Sequence, residues 1–471
     1  MAQVGQHSPN SLTAKVLKTL SIFAGIECLT MLCAVVRTKL IALWIGAAGV
    51  GVISLLNSNL ELLKSIFLLN ANQSAVQKIA GSKGEEQAAA ISATARLGIL
   101  LGAVATVLVA ACSPLLSLWV FGDYSYAWAF AVLAVTMFAG AIAATRSAIL
   151  RGTDKLRQLA RATLFSTLTS TALAIPMVYF WRMDAIVPVL AVFAVSQMLF
   201  LLLPKIEIKR LNSSELRPQM KAIIKLGAGI TVAMAAPLLA DQLLRVYINA
   251  RSGFEAVGYF QAGYTIVNTY IGVIFTAISM EYYPRLSSVA RSTFKSTVVV
   301  GHEISVALWV LMPVVTTFVS ADSLVVSILY RSDFHVALPY ISMAVAGTAL
   351  RAASWCMAYM ILARGDSRAY IFTEVCSAAV LYVASIICYE RWSYAGLGIA
   401  YSVQFLAYTL LTGGVCRYRY GLRLPAKVWW LILLTTAVVI AAITSKALLG
   451  WWAPLLLLPA IAPAALRHLR R

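Results

Sequence analysis

The sequence predicts an all-α protein that crosses a membrane fourteen times, and three observations carry that prediction. Of 471 residues, 61% are hydrophobic and only 12% charged, where soluble domains carry about a quarter charged. The apolar residues fall into runs of about 20, the length of a membrane-spanning helix. The loops between those runs hold lysine and arginine very unevenly. A closed β-barrel, the other structure stable in lipid, needs alternation in segments of about 10 residues. Stretches such as 97–111 and 428–442 do not alternate.

In chain order, the first six apolar segments are 16–45, 49–70, 91–112, 127–150, 160–181 and 185–203. The first is too long for a signal peptide and has no small-residue cleavage site, so it is expected to span. A polar stretch at 205–221 reads as a linker. Six more segments follow at 223–248, 257–280, 297–319, 336–363, 370–389 and 395–415. A last hairpin, 428–447 and 452–466, has a tight turn and a short second helix. The expected domains are a six-helix bundle over 12–204, a second over 222–416, and an additional hairpin over 428–466.

Basic residues orient the chain, because they collect in cytoplasmic loops. With the N-terminus inside, the cytoplasmic loops and tails hold 27 Lys and Arg and the outer loops 5. Both termini are then cytoplasmic. Tryptophans such as Trp44, Trp119, Trp181, Trp392 and Trp451 fall near the outer interface, where aromatic belts form. The same distribution explains the net charge of +20 without a nucleic-acid partner.

Enzymatic readings find little support. There is no G-x-x-x-x-G-K-[ST] phosphate loop, and Gly49-Val50-Gly51 opens a membrane helix with no preceding strand. His302-Glu303 lacks the second histidine of a zinc peptidase. The seven cysteines lie scattered in apolar runs, as packing residues with no metal or disulfide pattern. The outer loops are short; the longest, around 321–336, holds only Asp322 and Asp333. No cofactor is expected.

The chain contains an internal repeat. Val50-Gly51-Val52 matches Val257-Gly258-Tyr259, and at the same offset of 207 Lys78-Ile79-Ala80 matches Arg285-Leu286-Ser287. Leu150-Arg151-Gly152-Thr153-Asp154 matches Ala363-Arg364-Gly365-Asp366, and Asp123-Tyr124 matches Asp333-Phe334. Six helices per copy is an even number, so the copies are parallel repeats, with substrate expected at their interface.

The six basic residues counted with neither side lie within the predicted helices: Arg37, Lys39, Lys64, Arg146, Arg245 and Arg351. A charge at the bilayer centre costs about 2.5–3.5 kcal/mol on insertion scales, so it should meet a partner or a wet cavity. Asp241 and Arg245, four apart, and Glu61 and Lys64, three apart, can each meet on one helix face. For these pairs, mutual neutralisation and ligand binding remain equally open. Arg37 and Arg351 have no such neighbour. Arg37 falls one residue from the repeat equivalent of Arg245. Guanidinium makes planar, bidentate contacts with phosphate, so the candidate anion-binding set is Arg37, Lys64, Arg245 and Arg351. Lys39 and Arg146 read as snorkelling toward the interfaces. Glu27, Asp241 and Glu61 are candidate ion-coupling acids, with a proton or sodium gradient as the driving force; Glu303 and Glu374 pose the same question less sharply.

Several stretches together resemble the Wzx-type O-antigen and polysaccharide flippases of the multidrug/oligosaccharidyl-lipid/polysaccharide exporter superfamily. They are Leu43-Trp44-Ile45-Gly46-Ala47-Ala48-Gly49-Val50-Gly51, Val257-Gly258-Tyr259-Phe260-Gln261-Ala262, Tyr283-Pro284-Arg285-Leu286-Ser287, Leu329-Tyr330-Arg331-Ser332-Asp333-Phe334 and Ala363-Arg364-Gly365-Asp366-Ser367-Arg368. The similarity covers about residues 12–418. It implies a V-shaped transporter of the bacterial inner membrane that flips undecaprenyl-pyrophosphate-linked repeat units by alternating access. It also implies basic residues at Arg245 and Arg351, and partners in the polysaccharide polymerase and chain-length machinery. The extension 428–471 departs from the twelve-helix members; lipid II flippases also have fourteen helices. A multidrug exporter of the same superfamily is the other alternative, although such a site needs acids rather than an excess of arginine.

Overall fold

The computed structural model describes residues 9–209 and 211–469; the side chains of residues 9–25, 27, 28, 213, 270, 273, 276, 277, 279, 280 and 467–469 stand outside the description. Among the described residues there is no strand. Eight helices among those residues are long and apolar enough to cross a membrane, or nine with the pair Ser332–Ala346 and Thr348–Ala363, which is bent by 50°.

Four of those eight helices are each two predicted spans joined at a sharp break. The first is α1 (Pro9–Phe67), broken at Gly46, where φ is 74° and ψ −168°. After α2 (Ala71–Gly81), α3 (Gly84–Ala111), α4 (Ser113–Phe121) and α5 (Ala127–Gly152), the run α6 (Leu156–Trp181) to α7 (Ile186–Leu202) turns through Arg182 at φ 50°. The helix α8 (Ser213–Thr265) breaks at Gly253, with φ 80° and ψ −179°. A π-helical turn, Ile266–Tyr270, links it to α9 (Gly272–Val289). After α10 (Thr293–Leu329), α11 (Leu338–Ala346) and α12 (Thr348–Ala363), α13 (Ser367–Tyr420) breaks at Trp392 and Ser393. The last helices are α14 (Ala426–Leu449) and α15 (Leu458–Leu469).

Three of the breaks, at Arg182, at Gly253 and at Trp392–Ser393, are reversals. Arg245 bonds Gln261 at 2.9 Å, although 16 residues along a straight helix would separate them by about 24 Å. Gln404 bonds Ser377 across the break in α13 at 3.2 Å, and the rings of Phe165 and Phe200 stack across the α6–α7 turn. Counted at the breaks, each of the fourteen predicted segments finds a helix.

The chain divides into two compact units. The first comprises Met1–Ile45 and Asn59–Thr231, the second Gly46–Ser58 and Val232–Arg471. In the first, small residues let backbones approach where lipid gives no hydrophobic drive. A Cβ on Gly98 of α3 would collide with Thr145 of α5, and one on Gly102 would lie 2.8 Å from Ala141. The start of α8 is tied down here: Ser74 donates to the carbonyl of Ile223 at 2.9 Å, and Asn70 donates to Thr231 at 3.2 Å.

In the second unit, Gly46–Ser58 packs on the helix that follows Gly253. The α14 helix lies along α10, anchored by the ion pair of Lys446 with Asp322, which is only 1% exposed. The expected outer loop at 321–336 is therefore corrected. α10 runs on to Leu329, because Asp322 is a buried helical acid with a cation from the hairpin to neutralise it. The linker region also differs: after the extended residues near 205–209, α8 begins at Ser213.

The duplication is visible in the backbone. Gly46 and Gly253 share one unusual conformation at a spacing of 207. Arg182 and Ser393 share another, at φ 50°, ψ −122° and φ 49°, ψ −130°. Asp154 and Gly365 both take positive φ, which moves the register drawn from the Arg-Gly sequence match by two residues.

Candidate functional site

The polar heart of the second unit forms around Arg245 on α8. The i, i+4 spacing brings its Nη1 to 2.6 Å from Asp241 Oδ2, and the same nitrogen donates to the Asp241 carbonyl at 3.0 Å. Nε donates to Ser54 Oγ at 2.9 Å, and Nη2 to Gln261 Oε1 at 2.9 Å. The guanidinium lies 4.9 Å from the Tyr264 ring centroid and 5.6 Å from that of Phe260. With 3% of its surface exposed, Arg245 is a saturated buried cation. Ser54 and Gln261, which also bond each other at 2.7 Å, are 207 apart and hence repeat equivalents.

Arg351 on α12 is different. Among the described residues no carboxylate pairs with it. Its Nη1 donates to Tyr401 Oη at 3.0 Å and to the carbonyl of Val267 at 3.4 Å. That carbonyl lies in the π-helical turn Ile266–Tyr270, where i→i+5 bonding displaces backbone acceptors from the usual ladder. Tyr401 also donates to Asn268 Oδ1 at 3.3 Å, and Asn268 Nδ2 is buried with no hydrogen-bond partner among the described residues. The guanidinium stacks over Phe275 at 5.0 Å and Phe405 at 5.8 Å. Such contacts contribute about 0.5–2 kcal/mol each but leave the net charge in place.

A cavity of about 330 Å³ is bordered by Asp241, Phe260 and Tyr264, which surround Arg245, and by Asn268, Tyr401 and Phe405, which surround Arg351, although neither guanidinium lines it. Two carboxylates, Asp241 and Glu374, reach it, together with Asn268, Gln404 and the phenols of Tyr264 and Tyr401. Tyr408 donates a short hydrogen bond to Glu374. Two acids with amide and hydroxyl oxygens favour a small cation or proton and repel a phosphate. No group of three or more His, Cys, Asp or Glu suited to a metal ion occurs among the described residues.

The remaining predicted residues lie in the first unit. Arg37 stacks on Phe193 with 4.2 Å to the ring centroid, and no carboxylate pairs with it among the described residues. Lys64 pairs with Glu61 at 3.2 Å, the side chains being 31% and 64% exposed; such a pair contributes about 0–1 kcal/mol. The Lys64 stem lies 3.4 Å from a Cβ built on Gly140 of α5. Arg146 donates to the Leu202 carbonyl at 2.9 Å near the end of its helix. The Glu27 side chain lies outside the described residues. The structure thus groups Arg245, Asp241 and Arg351 in the second unit, and Arg37, Lys64 and Glu61 in the first.

Sequence reasoning missed Ser54, Gln261, Asn268 and Tyr401. The repeat offset of 207 carried a signal for the first two. Nothing in the sequence marks the π-turn that presents Asn268.

The sequence matches the family model described as polysaccharide biosynthesis protein over residues 66–339. No curated protein matches it significantly. The structure is similar to that of the lipid II flippase MurJ in an inward closed conformation, with a TM-score of 0.72 at 11% identity, covering 96% of this chain and 100% of that one. It is also similar to an inward-facing multidrug resistance MATE family transporter of the MOP superfamily, with a TM-score of 0.71 at 13% identity, over 83% of this chain and 94% of that one. The Vibrio cholerae MATE transporter VcmN in its bent form gives 0.56 at 10% identity, over 91% and 99%. At such identities the likeness is one of fold.

Proposed function

Because the chain belongs to the polysaccharide biosynthesis protein family, we propose that it is a flippase for polyprenyl-pyrophosphate-linked oligosaccharides. It carries undecaprenyl-linked repeat units across a bacterial inner membrane by alternating access, with both termini cytoplasmic, and hands them to the polymerase that builds the surface polysaccharide.

The observation that carries this reading is Arg351, a guanidinium within an apolar span with no carboxylate partner among the described residues. An un-neutralised charge at that depth is costly and gains most from an anion with several oxygens, which a pyrophosphate supplies. Arg37 offers a second such group from the first unit.

The other two cations come with counterions. Asp241 holds Arg245, and Glu61 holds Lys64. A proton or sodium ion taken up by Asp241 or Glu61 weakens its pair and frees the cation for phosphate, which links the ion gradient to substrate binding. Glu27 remains a further coupling candidate in the first helix. The acidic cavity beside Arg245 suits the coupling ion, while the head group engages Arg351.

A lipid II substrate is the second reading, favoured by the match to MurJ over that chain's whole length. A multidrug exporter of cations is disfavoured by the two arginines without counterions. The deciding experiment is transport in proteoliposomes holding the purified chain, with lipid-linked oligosaccharide, lipid II and a cationic dye as parallel substrates. Transport of the oligosaccharide lipid alone supports the proposal. Movement of the dye with neither lipid overturns it.

A further inference from the structure

Helix α12 is buried on every side but one. From Thr348 to Ile361, only Leu350, Arg351, Trp355 and Tyr359 are not buried. Arg351, Trp355 and Tyr359 recur every four residues and so form one stripe, rising about 6 Å per step. A charged guanidinium does not face acyl chains when a wetted surface is available. The two rings on the same stripe, one and two turns further on, are the other side chains this helix leaves partly open on that side, so a surface that wets Arg351 wets them as well. The stripe runs from Arg351 toward the basic end of the helix, marked by Arg364 and Arg368.

The rings are held from behind. Tyr282 of α9 donates to the Cys356 carbonyl at 2.7 Å, fixing α9 against α12. Phe275 and Tyr282 lie 5.7 Å and 6.0 Å from Trp355 by ring centroids, and Tyr283, itself 41% exposed, lies 5.5 Å from Tyr359. Trp355 and Tyr359 are 4.7 Å apart. A fully apolar lining would serve a polyprenyl chain equally well. What distinguishes this stripe is a pair of amphipathic rings beginning one turn from the arginine proposed above to hold the head group.

We propose that Trp355 and Tyr359 form a sugar-stacking platform. With the pyrophosphate on Arg351, the first sugars of the attached glycan lie along the stripe, their C–H faces against the ring faces. The negative π-face attracts the weakly positive C–H edges, and preformed Trp and Tyr rings lose little rotamer freedom on binding. The platform rests on the flippase reading above and adds to it which residues sense the length of the glycan.

The test uses the full chain in proteoliposomes with two substrates, polyprenyl pyrophosphate bearing a tetrasaccharide and the same lipid trimmed to its first sugar. Membrane-impermeant periodate added outside reads the arrival of either one. Tyr359→Leu, which removes the ring two turns from Arg351 that only the longer glycan reaches, is expected to lower the tetrasaccharide-to-monosaccharide rate ratio about tenfold, and Tyr359→Phe to stay within about twofold of wild type. Trp355→Leu, which removes the ring facing the first sugar, is expected to slow both substrates, with Trp355→Phe restoring both. An unchanged ratio in Tyr359→Leu at normal protein level overturns the platform, as does an equal fall for both substrates in that variant. A wild-type chain that moves neither lipid overturns the flippase reading and the platform with it.

Discussion

Gly51 and Gly258 stand 207 residues apart and obstruct each other's helices in the same way. A Cβ on Gly51 would collide with the carbonyl oxygen of Phe254, and one on Gly258 with the carbonyl oxygen of Ala47. Ala47 and Phe254 are themselves 207 apart, so the contact is reciprocal within the repeat. One turn further on, the equivalent pair Ser54 and Gln261 share the Arg245 guanidinium. Backbone contact at the glycines thus sets the geometry that buries the arginine.

Replacing either glycine by alanine should force these helices apart. Gly258→Ala is expected to cost about 1–3 kcal/mol, the usual penalty of overpacking, read as a lower melting temperature in detergent. Gly229→Ala, where nothing lies within 4 Å of the new Cβ, is the control and should be neutral or mildly stabilising.

The Arg245–Asp241 pair should respond asymmetrically. Asp241→Ala leaves a buried cation that cannot lose its proton, and the expected loss is about 3–5 kcal/mol. Arg245→Met should cost less, since a lone carboxyl at the cavity can take up a proton. Thermal unfolding of both singles and of the double variant Asp241→Leu/Arg245→Met checks this; equal losses in the two singles would contradict it.

Removing Arg351 should stop transport and spare the protein. Arg351→Ala is expected to reduce surface-polysaccharide output at least about tenfold at normal protein levels. Arg351→Lys should recover only part, because an ammonium cannot serve Tyr401 and a bidentate phosphate together. Full output from Arg351→Ala would remove this residue from the head-group site.

Glu374 tests the coupling assignment. Glu374→Gln keeps the shape of the side chain and the hydrogen bond from Tyr408 but loses the exchangeable charge. Transport into proteoliposomes by this variant should no longer rise with an imposed proton or sodium gradient. A gradient response equal to wild type would exclude this carboxylate.

The C-terminal hairpin should detach when its anchor is cut. Lys446→Ala leaves Asp322 buried without its cation, so the carboxyl must take up a proton and the hairpin loses its ionic anchor. Limited proteolysis should then release the segment from α14 onward while the rest of the chain persists. Lys446→Arg should restore resistance.

The spans were legible in the sequence because burial in lipid demands long apolar runs and self-satisfied backbones. The Asp241–Arg245 and Glu61–Lys64 pairs were legible too, since helical spacing alone brings them together. The breaks were visible as gaps between the runs 16–45 and 49–70 and between 223–248 and 257–280, although nothing singled out Gly46 and Gly253 as the residues that make them. The role of Asp322 was hidden, because its partner lies 124 residues away.

The sequence by itself determined the membrane class, the number of segments, the duplication and which cations lie within apolar spans. Each follows from composition or from a fixed spacing along the chain. Only the tertiary structure decided that Arg37 and Arg351 hold no carboxylate among the described residues, that Ser54 and Gln261 enclose Arg245, and that the stripe of Arg351, Trp355 and Tyr359 is the side of its helix left open. Those relationships depend on which helix faces pack against which neighbours, and every face of an apolar helix looks alike until the others are in place.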